Sequence, residues 1–246
     1  ASWLLRYPLV IHEQNAKAGL TNQWLKHFSK KVLTAFPDVF PAKTRATVIG
    51  NPVRDEFTHL PLPVNRFSGR GNTLRLLIFG GSLGAQVFNQ MMPRILAQWS
   101  VSKRPEIYHQ AGKRYEETVA AYREAAIEAK VVPFITDMHE AYAWADVVVC
   151  RAGALTVAEL CAVGLGAILI PYPYAVDDHQ TANANYLAEQ GAAILIQERD
   201  LNEEGLLTVL KDLQDLPLKR LAMAKAAYAL RQIEVPKKIF EVLKTI

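Results

Sequence analysis

The chain has 246 residues and a formal net charge of +4, and half of its residues are hydrophobic. This composition is typical of a globular protein and excludes collagen-like, low-complexity and intrinsically disordered chains. Two cysteines, Cys150 and Cys161, exclude a disulfide scaffold and lie in no metal-ligand spacing, so we expect two buried thiols. The longest uncharged run, residues 160–176, contains two glycines and two prolines, so it does not predict a transmembrane helix.

Basic residues are concentrated at the beginning of the chain. The first 54 residues contain eight lysines or arginines and only two acidic residues. Such an excess suits a surface that faces anionic lipid, nucleic acid or a phosphorylated substrate. A solvated cationic face is the simpler interpretation, and charge alone does not decide between them.

The first 71 residues predict three short strands, one helix and a connection. Leu20, Trp24 and Phe28 are spaced by four, which predicts a helix with one apolar face. Prolines punctuate residues 50–71, which is typical of a connection between domains. The predicted strands are residues 8–11, 31–35 and 46–49.

From residue 73 onward, short apolar strands alternate with amphipathic helices. This alternation predicts a parallel sheet covered on both faces, which is a doubly wound, Rossmann-like α/β domain. Helices then continue to the end of the chain. The predicted strands are 74–79, 106–110, 131–134, 146–150, 167–170 and 193–197, and the predicted helices between them are 85–98, 116–129, 139–144, 156–163 and 178–190.

The loop at residues 80–85, Gly-Gly-Ser-Leu-Gly-Ala, follows the first strand of this pattern. Ligands bind beyond the carboxyl ends of such strands, and glycines let the backbone approach a ligand closely. With Ser82 capping the next helix, free N–H groups at the helix start would attract a phosphate. The loop lacks the Gly-Lys-Ser/Thr end of a P-loop, and a tight turn without a ligand is the alternative.

A second unusual loop, Arg-Ala-Gly-Ala-Leu-Thr at residues 151–156, leads to Glu159. The Glu159 carboxylate is suited to accept two hydrogen bonds from a ribose diol, while the small residues leave room for a nucleotide. Glu159 also follows Thr156 by three residues, which is the spacing of a helix capping box. Both interpretations stay open at this point.

Further polar residues stand at predicted strand ends. His12 to Asn15 follow the first strand, and Arg54 stands at the proposed junction, where it suits either a pyrophosphate or an ion pair between domains. Asp178 is placed to cap a helix that begins with His179 and Gln180. No Asp-x-Asp sequence and no cluster of histidines and cysteines is present, so we predict no metal site.

Together these motifs resemble the MurG family of peptidoglycan glycosyltransferases, which are of the GT-B type in glycosyltransferase family 28. The shared segments are His-Glu-Gln-Asn at 12–15, Gly-Asn-Pro-Val-Arg at 50–54, the glycine-rich loop at 80–85, Arg-Ala-Gly-Ala-x-Thr at 151–156 with Glu159, and Asp-His-Gln-Thr-x-Asn-Ala at 178–184.

The resemblance implies two Rossmann-like domains that face a cleft. Residues 1–53 would be the end of the acceptor domain, 54–231 the donor domain, and 232–246 a final helix that returns to the acceptor domain. The family's N-terminal glycine-rich loop has no match here, so we expect this chain to be part of a longer protein. We expect it to encode donor recognition but not full catalysis.

The family transfers N-acetylglucosamine (GlcNAc) from UDP-GlcNAc to undecaprenyl-pyrophosphoryl-MurNAc-pentapeptide, turning lipid I into lipid II. By resemblance, Glu159 would hold the ribose hydroxyls, and the backbone around Ile135 would meet the uracil. Ser82 and Arg54 would contact the diphosphate, and Gln180 the GlcNAc hydroxyls. The other implied donor contacts are Asn15, which would reach the sugar from the acceptor side, Ala154, Leu155, Thr156, Val157 and Ala158.

The implied reaction is a direct displacement with inversion. The C4 hydroxyl of MurNAc attacks the anomeric carbon and UDP leaves, with helix N-termini and Arg54 stabilising the diphosphate in place of a metal or cofactor. Glu13 is the candidate general base within this chain, and the unmatched N-terminal region is the other possible source of the base.

The expected partners are UDP-GlcNAc, the lipid-linked acceptor and an anionic membrane surface. We expect a peripheral location at the cytoplasmic face of the bacterial inner membrane, and no nucleic acid. Alternative functions are a UDP-GlcNAc 2-epimerase-like activity on the same fold, UDP-sugar binding without catalysis, and nucleic-acid binding through the basic segment.

Overall fold

The computed structural model describes residues 7–71 and 73–246, which form two parallel sheets. The first sheet contains β1 (Val10–Glu13), β2 (Lys31–Thr34) and β3 (Thr47–Val48) in that order. The second sheet has six strands in the order β6-β5-β4-β7-β8-β9. Its strands are β4 (Arg75–Phe79), β5 (Glu106–Gln110), β6 (Lys130–Val132), β7 (Val147–Cys150), β8 (Ala167–Leu169) and β9 (Ala193–Leu195).

Helices connect the strands and cover the sheets. The α-helices are α1 (Leu20–Leu25), α2 (Pro63–Phe67), α3 (Gln86–Ala97), α4 (Tyr115–Glu124), α5 (Met138–Trp144), α6 (Ala154–Val163), α7 (His179–Ala188), α8 (Glu203–Asp215), α9 (Pro217–Ala229) and α10 (Val235–Lys244). Short 3₁₀ segments are Ala42–Thr44, Asp55–His59, Val101–Lys103, Gly112–Arg114, Val176–Asp178 and Glu198–Asp200.

The six-stranded sheet is buried on both of its faces. In β4, Leu77 and Phe79 join one hydrophobic cluster, whereas Leu76 and Ile78 join the cluster on the opposite face. Successive side chains of a strand point to opposite faces, so an uninterrupted apolar strand requires cover on both sides. This arrangement confirms the predicted doubly wound parallel sheet.

Several predicted helix boundaries differ from the observed ones, and two of the differences bear on the fold and the site. The helix expected over 116–129 is α4, which ends at Glu124 because Ala126 adopts a left-handed conformation with φ of 53°. The helix expected over 156–163 is α6, which begins two residues earlier, at Ala154, with Gly153 at the N-cap. The early start of α6 changes the role of Thr156, as the site geometry shows.

The proline-rich connection is packed against the larger sheet's helices. Phe57 is fully buried, and the side chain of Arg66 donates to the carbonyls of Val163, at 2.6 Å, and Gly164. Arg66 thereby satisfies carbonyl groups at the end of α6 that have no partner within the helix. Residues 55–67 therefore belong structurally to the larger unit.

The final helix lies on the smaller sheet. Val235 of α10 is buried with Leu33 of β2 and Ile49, and Ile239 packs against the same cluster. At Gly50, where φ is +90°, an added Cβ would lie 2.3 Å from Cβ of Gln232, so only glycine fits beneath this segment. The predicted domain boundaries at 53/54 and 231/232 stay predictions.

Two further observations concern the cysteines and the helices. Cys150 and Cys161 are both buried and free, as the sequence predicted. Within the described residues, every helix is too short or too polar to cross a bilayer.

The buried His109 generates a prediction for stability at low pH. Burial lowers the pKa of His109 to about 3 from its usual 6.5, and its Nδ1 lies 2.9 Å from the hydroxyl of Tyr122. Protonation therefore favours the unfolded chain below pH 6.5, by about 1.4 kcal/mol per pH unit until the native group also titrates. We expect the free energy of unfolding in urea to fall less between pH 7 and 5 for His109→Gln than for the unmodified chain. His59→Gln, at an exposed histidine, is the matched control, and equal pH slopes in all three proteins would contradict this role.

Candidate functional site

The register of the larger sheet brings the predicted loops to one edge. Phe79, the last residue of β4, is paired with Gln110 of β5 and with Cys150 of β7, and Cys150 is paired with Leu169 of β8. All of these pairs are parallel, so the segments that follow them leave from the same edge. The loops beginning at residues 80, 111, 151 and 170 are therefore neighbours.

Gly84 and Gly81 of the glycine-rich loop have different surroundings. At Gly84, where φ is +76°, an added Cβ would lie 2.2 Å from the carbonyl oxygen of Ala111, so this glycine permits contact with the next loop. At Gly81, where φ is +90°, nothing lies within 4 Å of that position, so its backbone borders open space. Ser82 is exposed and does not cap α3, whose N-cap is Ala85, so the predicted capping role is wrong. Its contact with a diphosphate stays a prediction.

Glu159 is the half-buried carboxylate of this edge. Its Oε2 accepts a hydrogen bond from the hydroxyl of the fully buried Tyr142 at 2.9 Å. Burial raises the pKa of Glu159, while the Tyr142 hydrogen bond and the charge of Arg54 partly oppose that rise. A carboxylate has about four acceptor positions, so one tyrosine donor leaves capacity for ribose hydroxyls.

The capping-box alternative for Glu159 is wrong. The N-cap of α6 is Gly153, so Thr156 lies inside the first turn and Glu159 in the second. No side chain caps this helix start, and the first N–H groups of an α-helix have no partner within the helix. Ala154, Leu155 and Thr156 therefore offer backbone donors and a partial positive charge to an anion.

Arg54 supplies the cation on this side of the structure. Its side chain is 56% exposed, lies over the ring of Phe57 at 4.6 Å, and has Nη1 3.2 Å from Oε1 of Glu56. The ion pair is therefore formed within the connection and not between domains. Exposed pairs of this kind contribute at most about 1 kcal/mol, so an anionic ligand can replace Glu56.

Val157, Ala158 and Ile135 are predicted donor contacts that the structure surrounds with other protein groups. Val157 is 1% exposed, its N–H donates to the carbonyl of Gly153 at 2.9 Å, and with Ala158 it lines a small cavity beside Phe36. The contacts of Val157 and Ala158 with the donor stay predictions. Ile135 is also 1% exposed, and its N–H is occupied by the side chain of Gln110.

Glu13 is engaged within its own loop. The residue is 4% exposed, and its carboxylate accepts from the N–H of Asn15 at 2.9 Å, the N–H of Gly19 at 3.2 Å and Nδ2 of Asn22 at 2.8 Å. A general base must reach the proton that it removes. These hydrogen bonds order residues 14–19 around the Glu13 carboxylate. They give no support to the prediction that Glu13 is the general base.

Asn183 belongs to the motif at 178–184, but the sequence assigned it no role. Its buried side chain accepts from the N–H of Ala16 at 2.8 Å and donates to Oδ1 of Asn15 and to the carbonyl of Ala152, both at 3.1 Å. Its place in that motif was the available signal. Asn183 fixes the loop after β1 against the loop after β7.

A second asparagine strengthens the same junction. Nδ2 of Asn51, which is 3% exposed, donates to the carbonyl of Gln14 at 2.9 Å and lies 3.4 Å from that of Ala154. The beginning of α6 is thus in direct contact with the smaller sheet. Asn15 also lies at this junction, and its predicted contact with the sugar from the acceptor side stays a prediction.

The third loop is also ordered by side chains. Oε1 of Gln180 accepts from the N–H of Tyr172 at 2.9 Å, which leaves the Gln180 amide hydrogens as its donors. Asp178 stands at the N-cap of α7, but its carboxylate accepts from the Thr181 hydroxyl at 2.6 Å and caps no backbone amide. Arg151 bonds Glu198 at 2.5 Å, so its role in this edge is structural.

The described residues contain no group of three or more histidine, cysteine, aspartate or glutamate side chains placed to hold a metal ion. The groups collected at the edge are backbone donors, one cation and one carboxylate. Backbone donors at the start of α6, the cation of Arg54 and the carboxylate of Glu159 are complementary to the phosphates and hydroxyls of a nucleotide.

Comparison with known proteins shows which proteins this chain is similar to. Residues 75–241 match the model of the glycosyltransferase family 28 C-terminal domain. The chain is 53% identical over 240 residues to the UDP-N-acetylglucosamine–N-acetylmuramyl-(pentapeptide) pyrophosphoryl-undecaprenol N-acetylglucosamine transferase of Marinobacter nauticus, covering 97% of this chain and 66% of the relative. It is 49% identical over 245 residues to the enzyme of the same name from Xylella fastidiosa, covering 99% and 66%.

A solved structure gives the same result. The crystal structure of Acinetobacter baumannii MurG superposes with a TM-score of 0.90 at 37% sequence identity, covering 100% of this chain and 69% of that one. The chain thus spans about two thirds of the length of these relatives, and the predicted α/β fold of the GT-B type is confirmed. On the family match and these similarities together, the chain belongs to glycosyltransferase family 28, within the MurG family that its motifs resemble.

Proposed function

We propose that this chain binds UDP-GlcNAc and provides the donor side of GlcNAc transfer to the C4 hydroxyl of MurNAc in undecaprenyl-pyrophosphoryl-MurNAc-pentapeptide. The observation that carries the proposal is the half-buried Glu159 beside Arg54 at the uncapped start of α6. The names of relatives that are about half identical to this chain support the same substrate pair.

In this proposal each part of the donor meets a complementary group. The ribose hydroxyls donate to Glu159, whose carboxylate already has a fixed orientation from Tyr142. The N–H of Ile135 is already bonded to Gln110, so the uracil meets the backbone carbonyl of Ile135. GlcNAc accepts from the Gln180 amide, whose orientation is fixed by Tyr172.

The chemical step builds negative charge on the leaving diphosphate. The acceptor hydroxyl attacks the anomeric carbon, and the bond between that carbon and the β-phosphate oxygen breaks. The electrons of the broken bond stay on the β-phosphate oxygen. The N–H groups at the start of α6, the open backbone at Gly81 and the Arg54 guanidinium are proposed to stabilise that charge. We therefore expect donor binding to need no divalent metal or cofactor.

On the acceptor side, we propose a supporting role for Glu13. Its hydrogen bonds hold the loop that carries Asn15, and Asn15 contacts Asn183 at 3.1 Å at the edge of the cleft. Through these hydrogen bonds Glu13 positions Asn15, the residue proposed to contact the sugar. The proton of the acceptor hydroxyl then needs a base other than Glu13.

An apolar surface with basic neighbours supports membrane association. Leu20 and Trp24 belong to the predicted apolar face of α1, and in the structure they are 66% and 72% exposed. Lys30 and Lys31 are exposed nearby in the chain. Apolar side chains among cations are suited to an anionic lipid surface, and the lipid-linked acceptor would be presented there. We propose a peripheral location at the cytoplasmic face of the inner membrane.

Calorimetry with the 246-residue chain tests the donor proposal. We expect UDP and UDP-GlcNAc to bind with the same dissociation constant in EDTA as in Mg²⁺, and NAD and a DNA duplex not to bind. Binding of NAD or DNA without UDP would overturn the proposal. Conversion of UDP-GlcNAc without an acceptor would instead indicate an epimerase-like activity.

Substitution of Glu159 tests the ribose contact. We expect Glu159→Ala to weaken UDP binding by about 1–3 kcal/mol, because the ribose hydroxyls lose their acceptor in a half-buried site. Calorimetric titration with UDP measures the change. Glu124→Ala, at an exposed glutamate of α4, is the matched control and should bind UDP like the unmodified chain. Unchanged UDP affinity in a folded Glu159→Ala protein would rule out the contact.

Substitution of the exposed surface of α1 tests membrane association. We expect the double change Leu20→Ser and Trp24→Ser to weaken partitioning onto vesicles containing anionic lipid by at least about tenfold, because apolar area is no longer removed from water. The matched control is Val101→Ser with Leu218→Ser, two side chains that are 76% and 80% exposed elsewhere. Equal losses in the two double variants would contradict a specific lipid-facing surface.

A further inference from the structure

Gln110, the last residue of β5, connects two loops at the edge of the larger sheet where the nucleotide is proposed to bind. Its Nε2 donates to the carbonyl of Gly81 at 2.8 Å, and its Oε1 accepts from the N–H of Ile135 at 2.8 Å. The residue is only 4% exposed. One buried amide therefore spans the distance between the glycine-rich loop and the segment that follows β6.

The base of this loop assembly is held by other contacts. The N–H of Ala111 donates to the carbonyl of Val132 at 2.9 Å, and Nδ2 of Asn89 donates to the carbonyl of Ala111 at 2.9 Å. These bonds fix the β5 end against β6 and α3. Among the described residues, Gln110 is the one whose side chain bonds both Gly81 and the Ile135 segment.

We propose that Gln110 is a positioning residue for the nucleoside diphosphate, which sets the spacing between the loop that meets the diphosphate and the segment that meets the base. This inference rests on the proposed function. In a nucleoside diphosphate the ribose fixes how far the base lies from the phosphates. A site that holds both recognition segments at the matching distance before binding loses less free energy in ordering them.

The two hydrogen bonds require opposite polarity at the two ends of the side chain. A glutamine amide provides one donor group and one acceptor group, whereas an ionised glutamate provides acceptors only. Ionised glutamate at position 110 would thus place an oxygen against the Gly81 carbonyl. A protonated glutamic acid donates from one oxygen and accepts with the other, so it restores both bonds.

Gln110→Glu therefore gives a test with a pH signature. We expect this variant to bind UDP-GlcNAc at least tenfold more weakly than the unmodified chain at pH 8, and within threefold of it at pH 5.5. UDP-GlcNAc has no phosphate that titrates in this range, so the ligand does not supply the recovery. Gln110→Met, which lacks both polar groups, should be weak at both pH values.

Two controls separate positioning from folding and charge. Gln90→Glu adds the same charge at an exposed position of α3 and should bind like the unmodified chain at both pH values. Thermal denaturation of each variant shows whether the protein is folded at the temperature of the titration. A folded Gln110→Glu protein that binds normally at pH 8, or that stays weak at pH 5.5, would overturn the proposal. If the unmodified chain itself does not bind UDP-GlcNAc, the proposed function fails instead.

Discussion

Parallel pairing of β4 with both β5 and β7 is the constraint on which the site depends. Because Phe79 is level with Gln110 on one side and Cys150 on the other, the backbone after each strand leaves at the same height. Parallel strands cannot be joined by tight hairpins, so each of these exits leads to a crossover helix. Helix starts and loops are therefore collected at one edge, where their N–H groups can act together on an anion.

Buried asparagines join the loops that follow the smaller sheet's strands to that edge. Asn183 and Asn51 together bond backbone groups on both sides of the junction, and each is nearly or fully buried. Asn183 bonds through both ends of its amide and Asn51 through its Nδ2, and an apolar substitute at either position would leave these backbone partners without hydrogen bonds. The junction thus has a specific geometry, which apolar contact alone would not define.

Features that follow from local pattern were predictable from the sequence, and those that depend on distant partners were not. The strands of the larger sheet were located because their apolar runs reflect burial on both faces. The start of α6 was missed because Thr156 and Glu159 have capping-box spacing, whereas Gly153 begins the helix. The contact of Asn183 with Ala16 was not predicted because the two residues are 167 positions apart in the chain. Periodicity and short motifs contain no information about contacts at that separation.

The Tyr142 hydroxyl and the charge of Arg54 oppose the effect of burial on the pKa of Glu159. Burial alone favours the neutral acid, which has fewer acceptor positions for hydroxyl groups. The Tyr142 hydrogen bond and the Arg54 charge favour the ionised form before any ligand is present. The guanidinium that favours the ionised form of Glu159 is also the proposed partner of the diphosphate, so the proposed ribose and diphosphate contacts both depend on the charge of Arg54.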